Sequence, residues 1–272
     1  MSLARSVATV LNAGALDPDA ARWIATVGQS NVSQGRGRLV SDTIRQLKAA
    51  NVWADLDFLP VLAAENTASA LVDWRARKSM SEQTTVITLP TFTADRGYAF
   101  DGVTNYLNTA FTPSTDCVAA TGTSLMLGVY ERTNVGTSGR AFGAQVTSNQ
   151  CSHIIPRTGG SVASAAINSA NTTYVSGVSD SRGLTVAGLT GTAGAGYKNG
   201  VVGSTPTLTI LGSSLVNTAL FIGGYNQAGA LTLPRASTLG YCIFGRNAWS
   251  ATQHAQFYDI MQRYMTQLGA NV

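Results

Sequence analysis

The sequence contains little charge. Charged residues account for 12% of its 272 residues, with only three Glu and three Lys among them, and the chain has two His. This charged share is about half of that in an ordinary soluble domain. A helical bundle needs Glu and Lys on its exposed faces, so the composition excludes a bundle as the main architecture.

Cysteine and long apolar runs are also scarce. Cys117, Cys151 and Cys242 are odd in number and widely spaced, which excludes a disulfide framework, and we expect three buried thiols. Cys151 and His153 supply two zinc-type ligands where a structural site needs four. No apolar run approaches about 18 residues, so we expect no membrane insertion. Asn12 and Gly14 interrupt the apolar start, so we expect no cleaved leader.

Basic charge is present but dispersed. The net charge is +4, and residues 1–80 and 81–272 each contribute +2 of it. No segment gathers the dense basic stripe that follows a phosphate backbone, so the sequence predicts no nucleic-acid partner. The basic residues are 15 Arg and three Lys, and this bias towards Arg indicates protein contacts.

Apolar residues make up 44% of the chain, and it contains 28 Gly in addition, a mixture typical of a sheet-rich protein with many turns. Residues 1–80 read as a helical module, with helices predicted near 17–28, 41–51 and 66–76. Residues 81–272 contain ten or more short β-rich segments without intervening helices, which indicates an antiparallel sandwich or barrel. Asn199-Gly200 predicts a tight hairpin. A last helix is expected from the Ser250 cap to Gly269.

Several segments after residue 92, taken in order, resemble a concanavalin A-like jelly roll of the laminin-G type. The resemblance rests on short motifs: Tyr98-Ala99-Phe100-Asp101-Gly102, Asn105-Tyr106-Leu107, Tyr197-Lys198-Asn199-Gly200, Leu220-Phe221-Ile222-Gly223-Gly224 and Gly240-Tyr241-Cys242-Ile243-Phe244. It covers about 160 residues and implies two stacked antiparallel sheets. The predicted fold class is therefore mainly β, with a helical N-terminal module and a C-terminal helix.

The N-terminal module also resembles a module of tailed-phage and prophage proteins, through Ile44–Asp57, Leu62–Asn66, Ala70–Trp74 and Thr91–Tyr98. This resemblance implies a non-enzymatic virion structural protein, either a capsid decoration or a tail or fibre component. Its implied partners are other virion proteins, its implied localisation is the virion assembled in the host cytoplasm, and a homotrimer is expected by analogy. The alternative is a host-glycan binding protein of the tail.

Two catalytic arrangements are relevant to this fold and sequence. Glycan-cleaving enzymes of this fold need paired carboxylates on a strand of the sandwich, but the acidic pair Asp55 and Asp57 lies outside the predicted sandwich, and we expect it in a solvated turn. Gly28-Gln29-Ser30-Asn31 is similar to the nucleophile block of SGNH-type esterases. That chemistry needs an Asp-x-x-His element, and neither His153 nor His254 has one. The sequence therefore predicts no enzyme, with an esterase using Ser30 as the weakest alternative.

One ligand site can be suggested from the sequence. Tyr225, Asn226 and Arg235 lie close together near predicted strand ends, where an aromatic ring and polar groups could stack against and hydrogen-bond a sugar. Packing at a strand end explains Tyr225 equally well. No cofactor is predicted. A calcium ion at the sandwich rim is a candidate through Asp95, Asp101, Asp116 or Asp180, although no acidic loop gathers these residues.

Overall fold

The computed structural model describes residues 14–272. Its helices are α1 (Pro18–Val27), α2 (Gln34–Ala49), α3 (Thr67–Ala70), α4 (Pro113–Asp116) and α5 (Ala251–Gln267). Its strands are β1 (Leu56–Phe58), β2 (Ser81–Thr84), β3 (Thr91–Thr93), β4 (Gly97–Ala99), β5 (Asn105–Asn108), β6 (Ser124–Glu131), β7 (Phe142–Thr147), β8 (Gln150–Ile155), β9 (Val162–Ile167), β10 (Thr172–Ser176), β11 (Gly183–Thr190), β12 (Ala193–Lys198), β13 (Val201–Val202), β14 (Phe221–Ile222), β15 (Tyr225–Gln227), β16 (Ala230–Thr232) and β17 (Thr238–Gly245).

The strands form two stacked sheets, which confirms the predicted β-sandwich with helices near its N-terminus and at its C-terminus. The first sheet has the order β13-β12-β11-β6-β17-β4-β3, with β1 beside β17. The second sheet has the order β10-β9-β8-β7-β14-β5-β2, and the hairpin β15–β16 joins β7. The pairing of β15 with β7 is parallel, while the other strand pairs are antiparallel.

Alternation along the strands creates the sandwich core. Leu125, Leu127 and Val129 of β6 point into the core between the sheets, whereas Met126 and Tyr130 point to the outer face of the first sheet. Successive side chains of a strand point to opposite faces, so both faces of the first sheet are apolar. Burying an apolar side chain of this size contributes roughly 2 kcal/mol.

A helical layer covers the outer face of the first sheet. Trp23 of α1, Ile44 of α2 and Phe257 of α5 pack in one cluster with Tyr130 and Tyr241 of that sheet. Short amphipathic helices gain most of their stability from such packing. Within residues 14–272, none of the helices is long and apolar enough to cross a membrane.

The ends of the helices follow their predicted signals. Asp17 caps α1 ahead of Pro18, and Gly28 ends that helix with φ +92°. Ser250 and Gln253 form a capping box at the start of α5. Asn199 and Gly200 both have positive φ, 51° and 77°, as the predicted hairpin turn requires.

Two predictions about the N-terminal part are wrong. The helix expected over 66–76 is a single turn, α3, because the carboxylate of Asp73 accepts hydrogen bonds from the backbone N–H groups of Arg75, Arg77 and Lys78 and closes a turn there. Asp55 and Asp57 are buried and not in a solvated turn. Asp57 accepts from three successive backbone N–H groups of the segment 118–120.

The N-terminal part also joins the sandwich directly through β1. Leu56 and Phe58 pair with Gly245 and Phe244 at the end of β17. A Cβ on Gly245 would lie 2.1 Å from the carbonyl oxygen of Asp55, so this close approach needs glycine. The division of the chain at residue 80 stays a prediction.

Candidate functional site

The helices α1, α2 and α5 pack on the first sheet. They therefore do not cover the outer face of the second sheet. Phe142 of β7, Ile154 of β8 and Ile222 of β14 point into the core. Their neighbours Gly143, His153 and Phe221 therefore belong to the outer face. Phe221 pairs with Gly143, and Gly143 pairs with His153, so all three share one row across the sheet.

A polar cluster built around Tyr225 lies on this face; we call its members, Arg140, His153, Asn171, Tyr225 and Gln227, the Tyr225 cluster. The rings of His153 and Tyr225 have centroids 4.9 Å apart. The Arg140 guanidinium carbon lies 5.6 Å from the Tyr225 ring centroid. The Tyr225 hydroxyl donates to Oε1 of Gln227 at 3.0 Å. The cluster thus combines a cation, an imidazole and two exposed amides around one buried ring.

His153 is held in its neutral form. Only 3% of the residue is exposed, and burial, together with the charge of Arg140, lowers its pKa to about 4. Nε2 of His153 lies 3.1 Å from Oδ1 of Asn171. Because an amide oxygen only accepts hydrogen bonds, the proton is on Nε2. Nδ1 is then an acceptor, and it is buried without a protein partner.

Arg140 supplies the positive charge of the cluster. Its Nη1 donates to the carbonyl oxygen of Ser138 at 3.1 Å, whereas its Nε is buried without a partner. Burial lowers the pKa of this guanidinium, which nevertheless stays charged at neutral pH. A buried donor and a buried acceptor without partners therefore occur in the same cluster, and groups of this kind demand a partner.

An aromatic pair lies on the same face beyond Gly143. The rings of Tyr106 and Phe221 have centroids 4.3 Å apart, and Tyr106 is the half-exposed member. Phe221 and His153 are two strand spacings apart, or about 10 Å between their Cα atoms. The face therefore offers an exposed ring edge and a polar cluster within the span of a short oligosaccharide.

The three residues predicted to contact a sugar all have internal contacts. Tyr225 is 4% exposed, so its ring packs against His153 and Arg140. Asn226 donates to Oγ1 of Thr218 and to the carbonyl oxygen of Ala219. Arg235 is fully buried and pairs with Glu131 through its Nε at 2.7 Å and its Nη2 at 3.0 Å.

Arg235 also organises the loop that follows β6. Its guanidinium donates to the carbonyl oxygens of Val135, Thr137 and Gly139. Every donor of the side chain is occupied, which leaves Arg235 none for a ligand.

The candidate calcium ligands are not brought together. Asp95 pairs with Arg36, Asp116 with Lys78 and Asp180 with Arg182. The carboxylate of Asp101 accepts from the N–H groups of Val103 and Thr104 and from the Thr104 hydroxyl, which lowers its pKa to about 2. Among residues 14–272, no group of three His, Cys, Asp or Glu side chains could hold a metal ion.

The two catalytic arrangements are not assembled either. Ser30 lies in an exposed 3₁₀ turn, Gln29–Asn31, while His254 is buried in α5 between Tyr197 and Trp249. Glu131 is held by Arg235. Cys151 and Cys242 are buried as expected, and Cys117 is half-buried.

Sequence reasoning missed Arg140, His153 and Asn171 as neighbours of Tyr225. His153 precedes the core residue Ile154 along β8, which places its imidazole on the outer face. The sequence of β8 has no apolar–polar alternation that would have indicated this. The separations of 85 residues from Arg140 and 72 from His153 to Tyr225 gave no local sign of contact.

Comparisons with solved structures identify sandwiches of the same shape. Domain 4 of AbnA, an extracellular arabinanase of Geobacillus stearothermophilus solved in complex with arabinotriose, matches with a TM-score of 0.54 and 12% identity over 75% of this chain and 98% of that domain. A Trypanosoma rangeli sialidase in complex with 2,3-difluoro-KDN matches with a TM-score of 0.54 and 13% identity over 85% of this chain. Another structure of that sialidase gives a TM-score of 0.52 at 12% identity.

This chain spans 40% of the length of the sialidase, and at these identities the likeness establishes the fold alone. No family model matches the chain, and no curated protein matches it either. The class that the fold defines is a β-sandwich in which α1, α2 and α5 cover the first sheet and not the second.

These comparisons overturn the predicted function. The prediction of a bacteriophage virion structural protein is wrong, because the similar structures belong to an arabinanase and a sialidase. The prediction that the chain is not an enzyme stays a prediction. The phage resemblance of the N-terminal module has no support among them. The associated virion partners and homotrimer are likewise without support.

Proposed function

We propose that this protein is a carbohydrate-binding β-sandwich that holds a glycan on the outer face of its second sheet. The observation that carries the proposal is the Tyr225 cluster, in which the half-buried guanidinium of Arg140 has unused donors and the amides of Asn171 and Gln227 are exposed. A sugar hydroxyl accepts one hydrogen bond while donating another. It therefore suits a site that offers both donors and acceptors at the surface.

The surroundings of the cluster also suit a sugar. Asn171 and Gln227 are the exposed amides of the Tyr225 cluster, and Tyr106 lies half-exposed on the same face. Sugar sites combine a few placed polar groups with an aromatic surface. The solved arabinanase domain with arabinotriose supports the proposal by fold likeness only.

We further propose that binding occurs without catalysis. Glycoside hydrolysis needs two carboxylates that flank the bond. Glu131, which Arg235 holds, is fully buried and paired. The cluster itself contains no carboxylate.

A glycan array probed with the full chain tests this function, followed by calorimetric titration of the best glycan. Replacing both exposed amides, Asn171→Ala with Gln227→Ala, should weaken binding by about tenfold or more, since each amide contributes about one hydrogen bond. Gln267→Ala is the matched control, because it removes an exposed amide from the helical layer. A blank array, or binding that the double variant leaves unchanged, contradicts the proposal, and release of reducing ends contradicts its non-catalytic part.

A further inference from the structure

Arg140 carries a charge without an acidic partner. Among residues 14–272, no carboxylate oxygen lies within ion-pair distance of its guanidinium. The protein contacts of this guanidinium are the carbonyl of Ser138 and the ring of Tyr225. A half-buried guanidinium with unused donors is well suited to a planar carboxylate, which it engages through two parallel hydrogen bonds.

A second arginine adds positive charge at the same end of the sheet. Arg157 lies two residues after the end of β8. The start of β7, next to Arg140, is joined to this end of β8 by the hydrogen bond from the N–H of Ala141 to the carbonyl of Ile154. Nη1 of Arg157 donates to Oδ1 of Asn134 at 2.9 Å, and its Nε is buried without a partner. Neither arginine is neutralised by Glu131, whose two oxygens are used by Arg235.

The exposed amides give the site its second requirement. Asn171 and Gln227 are exposed and lie next to His153 and Tyr225, and an amide side chain both donates hydrogen bonds to hydroxyls and accepts them. A ligand that spans Arg140 and these amides therefore presents a carboxylate and hydroxyls on one small unit, which is the chemistry of an acidic sugar.

We propose that the Tyr225 cluster recognises a carboxylate-bearing sugar, with the carboxylate on the Nη groups of Arg140 and ring hydroxyls on the exposed amides of Asn171 and Gln227. This inference rests on the proposed function and names its ligand class. Tyr225 acts as a positioning residue, because its ring supports both the guanidinium and the imidazole.

Calorimetric titration with matched sugar pairs tests this assignment on the full chain. The pairs are trigalacturonate and its methyl ester, sialyllactose and lactose, and a glucuronate-substituted xylo-oligosaccharide and its unsubstituted form. In at least one pair the acidic member should bind about tenfold or more tightly than the neutral one, and added salt should reduce the difference. Arg140→Gln should abolish the preference, whereas Arg263→Gln, which removes one exposed charge from α5, should preserve it.

The outcomes separate this inference from the proposed function. Equal binding of acidic and neutral members, with Arg140→Gln unchanged, overturns the acidic class but leaves glycan binding intact. Tighter binding of a sulfated galactose oligomer than of every uronate or sialate overturns the carboxylate assignment. Failure of all six sugars, together with a blank array, overturns both proposals. If Arg140→Gln is poorly folded by circular dichroism, Arg140→Lys replaces it and should reduce the preference, because Lys cannot form the paired hydrogen bonds.

Discussion

Mild acid should destabilise this protein before its carboxylates titrate, because both histidines are buried in neutral form. His254 is 2% exposed, with its ring stacked 3.6 Å from that of Tyr197 and set edge-on to Trp249 at 5.2 Å. Burial lowers the pKa of His254 to about 3. Burial and the charge of Arg140 lower the pKa of His153 to about 4.

The direction of the effect follows from proton uptake by the unfolded chain. An unfolded histidine binds a proton near pH 6.5, while the folded protein excludes that proton until its lower pKa is reached. The stability from each histidine is therefore complete above about pH 6.5 and is lost as the pH falls, down to about pH 4 for His153 and about pH 3 for His254. The loss is about 1.4 kcal/mol per pH unit for each, or about 2 kcal/mol each at pH 5.

Urea unfolding at pH 7 and pH 5, followed by tryptophan fluorescence, measures this loss. Between pH 7 and pH 5 the free energy of unfolding of the parent should fall by about 4 kcal/mol through the two histidines. Asp73 offsets part of this fall, because burial raises its pKa and the folded protein therefore gains stability when Asp73 takes up a proton. His254→Phe keeps an aromatic ring and removes the titration, so its loss should be about 2 kcal/mol smaller. His153→Gln should reduce the loss by a similar amount. Because each variant is compared with itself at two pH values, packing effects cancel, and an unchanged difference in His254→Phe would refute a buried neutral His254.

Four further perturbations have defined outcomes. Arg235→Met leaves Glu131 buried without its partner and should cost about 3–5 kcal/mol in urea unfolding, whereas adding Glu131→Leu to that variant should recover part of the loss. Gly143→Ala places a Cβ 2.2 Å from the carbonyl oxygen of Ser152 and should lower Tm. Gly229→Ala is the control, because its Cβ meets nothing within 4 Å and both glycines have positive φ. Equal losses of Tm in the two variants would contradict the clash at Gly143. Ser250→Ala removes the cap of α5 and should cost about 1 kcal/mol, and no change would contradict the capping box. Excess EDTA should leave Tm unchanged, because the four candidate calcium ligands are separated, and a drop reversed by calcium would show otherwise.

Local signals in the sequence predicted much of the fold. Short runs of apolar residues in β6, β11 and β17 mark strands buried on both faces, and Asn199-Gly200 marks a turn that needs two positive φ values. The capped helix after Ser250 was equally clear. These features depend on residues within a few positions of one another, so one sequence is enough to find them.

The failures arise where long-range contacts or side-chain bonds decide the structure. The apolar residues of 66–76 suggest a helix. The carboxylate of Asp73, however, accepts hydrogen bonds from the backbone N–H groups of Arg75 and Arg77 and forms a turn there, so the helix has only one turn. α2 begins at Gln34, seven residues before the predicted start at Ser41. Gly35 and Gly37 weaken the helix signal there, although a Cβ at Gly37 would lie only 3.1 Å from Ile24, so the packing of α1 favours glycine.

The candidate site was partly visible in the sequence. Tyr225 could be singled out because it follows two glycines at a strand end, but Arg235 looked like a ligand-binding residue when its partner is Glu131, 104 positions away. Arg140 and His153 gave no local sign of their contact with Tyr225. Only the strand order β8-β7-β14 and the attachment of β15 to β7 bring these residues to one face.

Backbone amide chemical-shift mapping of the parent protein, titrated with the tightest acidic sugar from the matched pairs, tests the central claim most directly. Binding on the outer face of the second sheet predicts chemical-shift changes concentrated at residues 140–153, 171 and 225–227, with the amides of α1, α2 and α5 unchanged. Shifts centred on the helical layer, or on the loops at 114–122, would place the ligand elsewhere and contradict the account.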